Sequence, residues 1–282
     1  MLISGLLAGC ASANTGTGFG ERPDVQYFIQ KVAAKDDFNA HKLTALFNQV
    51  QVRPTFIHST KHPRETAMSW NRYRAIFMTQ GRIDKGLAFW NAHETTFAKA
   101  QQEYGVPPPV ILGILGVETE YGKYLGKYRV MDSLSTLAFN YPRRSVFFQH
   151  ELEEYLLLTR DLNIDPFDLY GSYAGAVGLP QFMPSSYRQL AVSYTGKSPD
   201  LWHNADDAIL SIANYFYHKG WQANQPVAVR VSRSNHSTSN FGDTYWLLYP
   251  NFEVIKHYND SNFYAMTVYQ LGEAIRLEKN KS

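Results

Sequence analysis

Cysteine is almost absent. The 282 residues hold one, Cys10, so no disulfide can close within the chain and no zinc site can be built from cysteines. Charge is sparse: 18% of residues are charged, and 27 Lys and Arg nearly balance 25 Asp and Glu, leaving +2. Without a long basic block, nucleic acid is excluded as the default partner. No apolar run reaches the roughly 18 residues that a membrane-spanning helix needs. Internal repeats and βαβ alternation are also missing. What the chain does have is a 44% hydrophobic share, which excludes a disordered polymer, and 15% aromatic residues with 19 tyrosines. Many rings suit a flat, partly apolar ligand, although most of them serve as core.

The lone cysteine sits in an informative place. The chain opens with an apolar run, then Leu7-Ala8-Gly9-Cys10-Ala11. This resembles a bacterial lipoprotein signal, in which the cysteine sulfur receives a diacylglyceryl group and becomes the new N-terminus. No Lys or Arg precedes the run, which departs from such signals. By the same resemblance, Ala11 after the cysteine implies an anchor in the outer membrane. Residues 11–20 are small, polar and glycine-punctuated, and read as a tether.

From Arg22 onward the pattern is helical. Asp24 is expected to cap a helix burying Val25, Phe28, Ile29 and Val32. Further helices are predicted near Asn39–Val50, Ile83–Tyr104, Val110–Glu120, Asp132–Phe139, Ser145–Asp161, Ser185–Tyr194, Ala205–Lys219 and Ser261–Glu278. Strand-like alternation appears at Pro226–Ser232 and around Phe252–His257. The fold class expected is mainly α (α+β), with a small β patch near the C-terminus.

Several motifs carry no chemistry. Thr195-Gly-Lys-Ser198 ends like a phosphate loop, but Ala191 stands where the first glycine must be. The glycines of Gly171–Gly178 lack the preceding strand of a dinucleotide fingerprint. His58 and His62 have ligand-like spacing but no acidic partner and are followed by Pro63.

The stretch Pro107–Gly122 is different. Prolines open a helix and Gly122 can close it. Glu118 then shares a face with Ile111, Ile114 and Leu115. A carboxyl on an apolar face is costly to ionise, so its proton is held more tightly, as a general acid requires. A carboxylate satisfied by a neighbouring arginine fits the same pattern equally well. Glu120 falls about 200° round the helix and is expected to be solvated.

Glu118-Thr-x-Tyr-Gly, followed by Gly178-x-x-Gln181-Phe-Met-Pro-Ser, resembles the lytic transglycosylases, within them the branch of membrane-bound lytic murein transglycosylase B. Leu137–Arg144 and Asn251–Met266 match the same branch, in the same order. The resemblance covers roughly Asp24 to the C-terminus. It implies a goose-lysozyme-like catalytic core flanked by a helical region, acting on peptidoglycan glycan strands. The implied division is a signal remnant and tether (1–20), an N-terminal α-helical region (21–105), a lysozyme-like core (106–220), a reduced β subdomain (221–250), and a groove wall with a returning helix (251–282).

Carried over by motif, Glu118 is implied to be the sole acid and base. Ser172 would sit by the N-acetyl group of the muramoyl sugar, and Gln181 would line the cleft. Arg143 and Arg144 would lie near glycan or peptide stem, and Tyr73, Tyr258, Asn259 and Tyr264 would form groove walls. For Tyr73 and Tyr264 the groove is preferred over a place as core rings, whereas Arg143 reads equally as a partner of Glu151 or Glu154. Some relatives hold calcium in a loop corresponding to Ser193–Trp202. Here Ser193 and Lys197 stand at ligand positions, and an ammonium cannot coordinate a hard cation, so no metal and no cofactor are expected. The activity implied is cleavage of the MurNAc–GlcNAc bond with a 1,6-anhydro end. A hydrolytic muramidase of the same fold, or a catalytically idle peptidoglycan-binding lipoprotein, are the alternatives.

Overall fold

The computed structural model describes residues 18–61, 68–232 and 238–281, with side chains of 59–61 left out. The lipobox, Cys10, most of the tether and His62 lie outside these residues. The chain divides into two compact units, Met1–Gln51 and Val52–Ser282.

In the first unit, α1 (Pro23–Asp36) and α2 (Ala40–Phe47) pack through Val25, Phe28, Ile29 and Val32 against Leu43 and Phe47. Asp24 does not cap α1. Arg22 holds that position, Pro23 opens the helix, and Asp24 in the first turn accepts from Val25 N and pairs with Arg22 at 2.7 Å, where a carboxylate offsets the helix dipole. Asn39 caps α2 by accepting from Lys42 N.

The second unit is a helical assembly with two small antiparallel sheets, in line with the mainly α class expected. It begins with α3 (Pro54–Lys61) and α4 (Trp70–Phe77), short helices whose apolar patterns are too brief to stand out in sequence. The long helix expected at 83–104 is two, α5 (Gln80–Ala92) and α6 (Glu94–Tyr104). His93 at φ −124°, ψ 26° ends one and starts the other, a break the continuous apolar periodicity conceals. α7 (Pro108–Thr119) is buried from Pro108 through Gly116.

Then come β1 (Tyr128–Arg129), α8 (Val130–Asn140), α9 (Ser145–Leu162), β2 (Tyr170–Gly171), α10 (Pro184–Leu190) and α11 (Ala205–His218). β1 pairs with β2, Tyr128 opposite Gly171. A three-stranded sheet follows in the order β3 (Ala228–Val231), β5 (Thr244–Leu248), β4 (Thr238–Phe241). The strand expected around Phe252–His257 is a helix, α12 (Pro250–Lys256). Pro250 opens it, and Asn251, Phe252, Val254 and Ile255 are buried, a helical stripe that imitates alternation over so short a run.

α13 (Asn262–Lys279) packs on α7 along much of its length. Their backbones approach closely because both carry glycine at the crossing. A Cβ at Gly113 would fall 2.2 Å from Val268 O, and one at Gly272 would fall 2.0 Å from Pro109 O. This contact sets the C-terminal end of α7 beside the N-terminal half of α13, and the candidate site is built there.

Candidate active site

α7 stops abruptly after Thr119. Glu120, Tyr121 and Gly122 all take positive φ (51°, 60° and 89°), a costly run for two residues with side chains. Three contacts hold it. Tyr121 N donates to Leu115 O at 3.0 Å, Gly122 N donates to Thr119 Oγ1 at 3.0 Å, and Thr119 Oγ1 donates to Leu179 O at 3.0 Å. The last bond ties the helix end to the glycine-rich loop across the cleft.

Glu118 is half-buried on this turn and lines a cleft of about 750 Å³. Tyr264 Oη donates to its Oε1 at 2.5 Å. Tyr264 is fully enclosed (1% exposed) and stacks on Tyr258 at 6.5 Å with 13° between the planes. Tyr258 Oη in turn donates to Pro180 O at 2.6 Å, and Tyr215 meets its ring edge-on at 4.9 Å. Burial, and then the charge of Glu118, push both Tyr258 and Tyr264 well above the usual phenol value; burial alone lifts Tyr215 to about 12. Near neutral pH these phenols therefore keep their protons and act as fixed donors. Where the sequence leaves an arginine open as the partner of Glu118, a phenol is one group that meets the carboxylate.

The opposite wall is the loop after β2. Ser172 N donates to Ala176 O at 2.9 Å, and Ser172 Oγ accepts from Ala174 N and Ala176 N. Val177 and Phe182 form an antiparallel bridge. Gln181 takes φ 51°, and its Nε2 donates to Leu125 O at 3.2 Å and Gly178 O at 2.8 Å. Ser172 and Gln181 both line the cleft, but their side chains are committed to shaping the loop.

The other candidates separate. Tyr258, Asn259 and Arg144 line the cleft with Glu118; the Arg144 guanidinium lies 4.1 Å from the Phe147 ring centroid. Arg143 is exposed and outside the lining. Its expected partners are taken: Glu151 accepts from Ser185 N and Oγ at 3.0 and 2.7 Å, and Glu154 pairs with Arg188 at 2.6 Å. Tyr73 is buried on α4 against Phe77 and Phe263, a core ring adjoining the Tyr264 layer. Glu120 is not solvated as expected. Arg82 (3.2 Å), Lys85 and Lys123 (3.5 Å) surround it, and the Lys85 contact foremost draws its carboxyl down from 4.5 to about 2.

Tyr215, Phe147, Tyr173, Met183, Glu151 and Asp260 also line the cleft, where sequence reasoning does not place them. Tyr215 and Phe147 lie within apolar helical stripes that sequence assigns to core. Glu151 is buried (3% exposed), with both oxygens accepting from Ser185. Asp260 is exposed on the rim, 3.9 Å from Lys256.

The loop at Ser193–Trp202 closes on its own backbone. Asp207 Oδ1 accepts from Tyr194 N at 2.7 Å and its Oδ2 from Asp200 N at 2.9 Å. Asp200 Oδ1 accepts from Trp202 N and His203 N. Carboxylate oxygens already committed to N–H donors, with an exposed ammonium at Lys197, do not fit a hard cation.

Residues 20–243 and 236–273 match the family model of the transglycosylase SLT domain. Membrane-bound lytic murein transglycosylase B of Escherichia coli strain K12 is 38% identical over 310 aligned positions, covering 94% of this chain and 86% of the relative. Among solved structures, the soluble lytic transglycosylase SltB1 of Pseudomonas aeruginosa superposes with a TM-score of 0.86 at 39% identity, covering 92% of this chain and 100% of that one. The Escherichia coli lytic transglycosylase Slt35 in complex with bulgecin A gives 0.85 at 37%, covering 93% and 96%. Slt35 has also been solved in complex with calcium.

Proposed function

Because the chain belongs to the lytic transglycosylase family of the lytic murein transglycosylase B type, and is thus an enzyme acting on peptidoglycan, we propose that it cuts the β-1,4 bond between MurNAc and GlcNAc with Glu118 as its only acid and base. Residues 106–220 form the catalytic core in this reading. Protonated Glu118 gives its proton to the bridging oxygen, the bond to C1 breaks, and GlcNAc leaves with a free 4-hydroxyl. The Glu118 carboxylate then takes the proton of the C6 hydroxyl of the same MurNAc as that oxygen attacks C1. The acid is regenerated, and the product carries a 1,6-anhydro ring. Intramolecular attack of this kind reaches effective molarities of about 10⁵–10⁸ M, so no second carboxylate is needed to activate water, unlike in ordinary glycosidases.

The observation that supports this reading most is the state of the carboxylates in the cleft. Glu118 is fixed by a phenol that stays protonated, whereas Glu151 has both oxygens engaged by Ser185 and Asp260 lies out on the rim. Tyr264 sets the rotamer of Glu118, and Tyr258 sets that of Tyr264. Ser172 and Gln181 hold the loop that faces the sugar, while Arg144 and Asn259 offer polar contacts along the groove. Arg143 lies further out, where a peptide stem would pass.

Digestion of purified murein followed by mass spectrometry tests the reading: MurNAc ends lighter than hydrolytic ends by one water are expected, and reducing MurNAc ends alone would make the enzyme a muramidase. Its relative in Escherichia coli is membrane-bound, which supports work in the cell envelope for this enzyme. A lipid anchor at Cys10 on the periplasmic face of the outer membrane is the corresponding proposal. Two or more acyl chains hold a protein stably at about 0.8 kcal/mol per buried CH₂, so wild type should fractionate with membranes, and Cys10→Ser should release it.

A further inference from the structure

A second cleft, of about 720 Å³, opens between the three-stranded sheet and helices α4 and α13. Strand register builds one wall. Arg230 on β3 stands directly opposite Trp246 on β5, so both side chains share one sheet face. Phe241, opposite Thr244, shares it too. The tip of the β4–β5 hairpin is docked on α4: Trp70 meets Phe241 edge-on at 5.1 Å, and a Cβ at Gly242 would fall 2.8 Å from Asn71 Oδ1. Tyr269 Oη donates to Ala228 O at 2.8 Å, which fastens α13 to the sheet. The walls are therefore fixed on both sides.

The chemistry of these walls is polar and unevenly charged. Arg74 donates from Nε to Gln270 Oε1 at 2.6 Å, which steadies its guanidinium over the opening. Neither Arg74 nor Arg230 is in an ion pair among the described residues. Glu273 is neutralised by Arg276 at 2.7 Å, so among the described residues Asp243 is the one carboxylate of the lining outside an ion pair. The Trp246 indole N–H is buried without an acceptor among the described residues, a costly state for a lone donor. The cleft thus offers two guanidiniums and the amides of Asn71 and Gln270, beside aromatic faces, with the unpartnered Trp246 N–H buried in its wall.

We propose that this cleft binds an acidic peptide, its carboxylates on Arg74 and Arg230 and its backbone packed against the Trp246 wall. Guanidinium forks match carboxylates bidentately, and the amide side chains suit peptide groups better than sugar hydroxyls alone require. Resting on the peptidoglycan reading above, the peptide is the carboxylate-bearing stem carried by the murein glycan. Phe263, Gln270, Ala274 and Leu277 share one face of α13, and Tyr264 points to the neighbouring one. One face of α13 thus lines the peptide cleft, and the neighbouring face carries Tyr264, which holds Glu118 of the glycan cleft; a stem from a strand other than the one being cut suits this placement.

The test uses the full chain carrying Glu118→Gln, so that no substrate is consumed. The probe is the free tetrapeptide L-alanyl-γ-D-glutamyl-meso-diaminopimelyl-D-alanine, titrated by calorimetry and followed by the Trp246 indole N–H resonance. Saturable binding that moves this resonance is expected. Arg74→Ala with Arg230→Ala should weaken binding at least about tenfold, Arg74→Lys with Arg230→Lys should weaken it less, and amidation of the peptide carboxylates should abolish it. An unmoved indole resonance, equal binding by the double alanine variant, or undiminished binding of the amidated peptide would each overturn the proposal. Cleavage of peptide-free glycan by the unsubstituted enzyme is scored separately. Its failure would count against the transglycosylase chemistry and leave the peptide titration standing.

Discussion

Glu118 and Glu120 lie two residues apart at the end of α7, in opposite surroundings. Glu118 faces a cleft and accepts from the Tyr264 phenol at 2.5 Å. Glu120 turns the other way into three cations, Arg82, Lys85 and Lys123. The left-handed turn makes the difference. Had the helix continued, both carboxylates would have pointed from one rod; instead Glu120 and Tyr121 reverse the chain. Tyr121 inserts where Gly86 and Gly116 leave room, since a Cβ on either glycine would come within 2.6 Å of its hydroxyl. One carboxylate is thereby left facing the cleft, and the other anchors the strained turn that presents it.

Substitution at Glu118 should separate the two most. Glu118→Gln keeps the shape but cannot donate a proton, and kcat on purified murein should fall by about 10²–10⁴ while binding persists. Near-normal turnover would break the comparison outright. Tyr264→Phe should come next. It removes a hydrogen bond to a charged group, a loss of about 1.5–3 kcal/mol, so kcat should drop about tenfold or more with KM little changed. A rise in KM alone would mark Tyr264 as a wall of the groove.

Glu120→Gln should act on stability, leaving turnover within a few-fold. With its carboxyl drawn from 4.5 to about 2, Glu120 contributes stability fully above about pH 4.5 and loses it as the pH falls towards 2. Discounted for the exposed lysines, the contribution is about 1–2 kcal/mol. Thermal melts of wild type and variant should therefore differ by a few degrees at pH 7 and converge towards pH 2. A difference constant with pH would mean that packing, not charge, holds the turn. The smallest effect is expected from calcium. With Asp207 occupied by Tyr194 N and Asp200 N, adding calcium or a chelator should leave both the melting temperature and the rate unchanged. A calcium-dependent rise of several degrees would show that the loop can reopen around a cation.

The position of Glu118 on the cleft is legible in the sequence because helical periodicity sets its carboxyl among Ile111, Ile114 and Leu115 and its motif matches a family. Glu120 departs from the expected solvation because a helical wheel assumes that the helix continues, and Gly122 signals the stop without saying that it starts two residues earlier. The helical class followed from periodicity. The break at His93 and the helix at Pro250–Lys256 did not, since period 3.6 runs through the first, and the second is too short to tell from alternation. The Tyr258–Tyr264 stack was reachable only through family resemblance: contacts across 146 residues of chain, such as Tyr264 to Glu118, leave no local pattern. Tyr215, on an apolar helix face, offered no signal at all.

The central claim is that one carboxyl suffices because the sugar's own C6 oxygen, not water, captures C1. Murein digested by the enzyme in ¹⁸O-labelled water reads this directly. No label should enter the new MurNAc ends; one ¹⁸O atom in most of them would contradict the account and assign the capture to water.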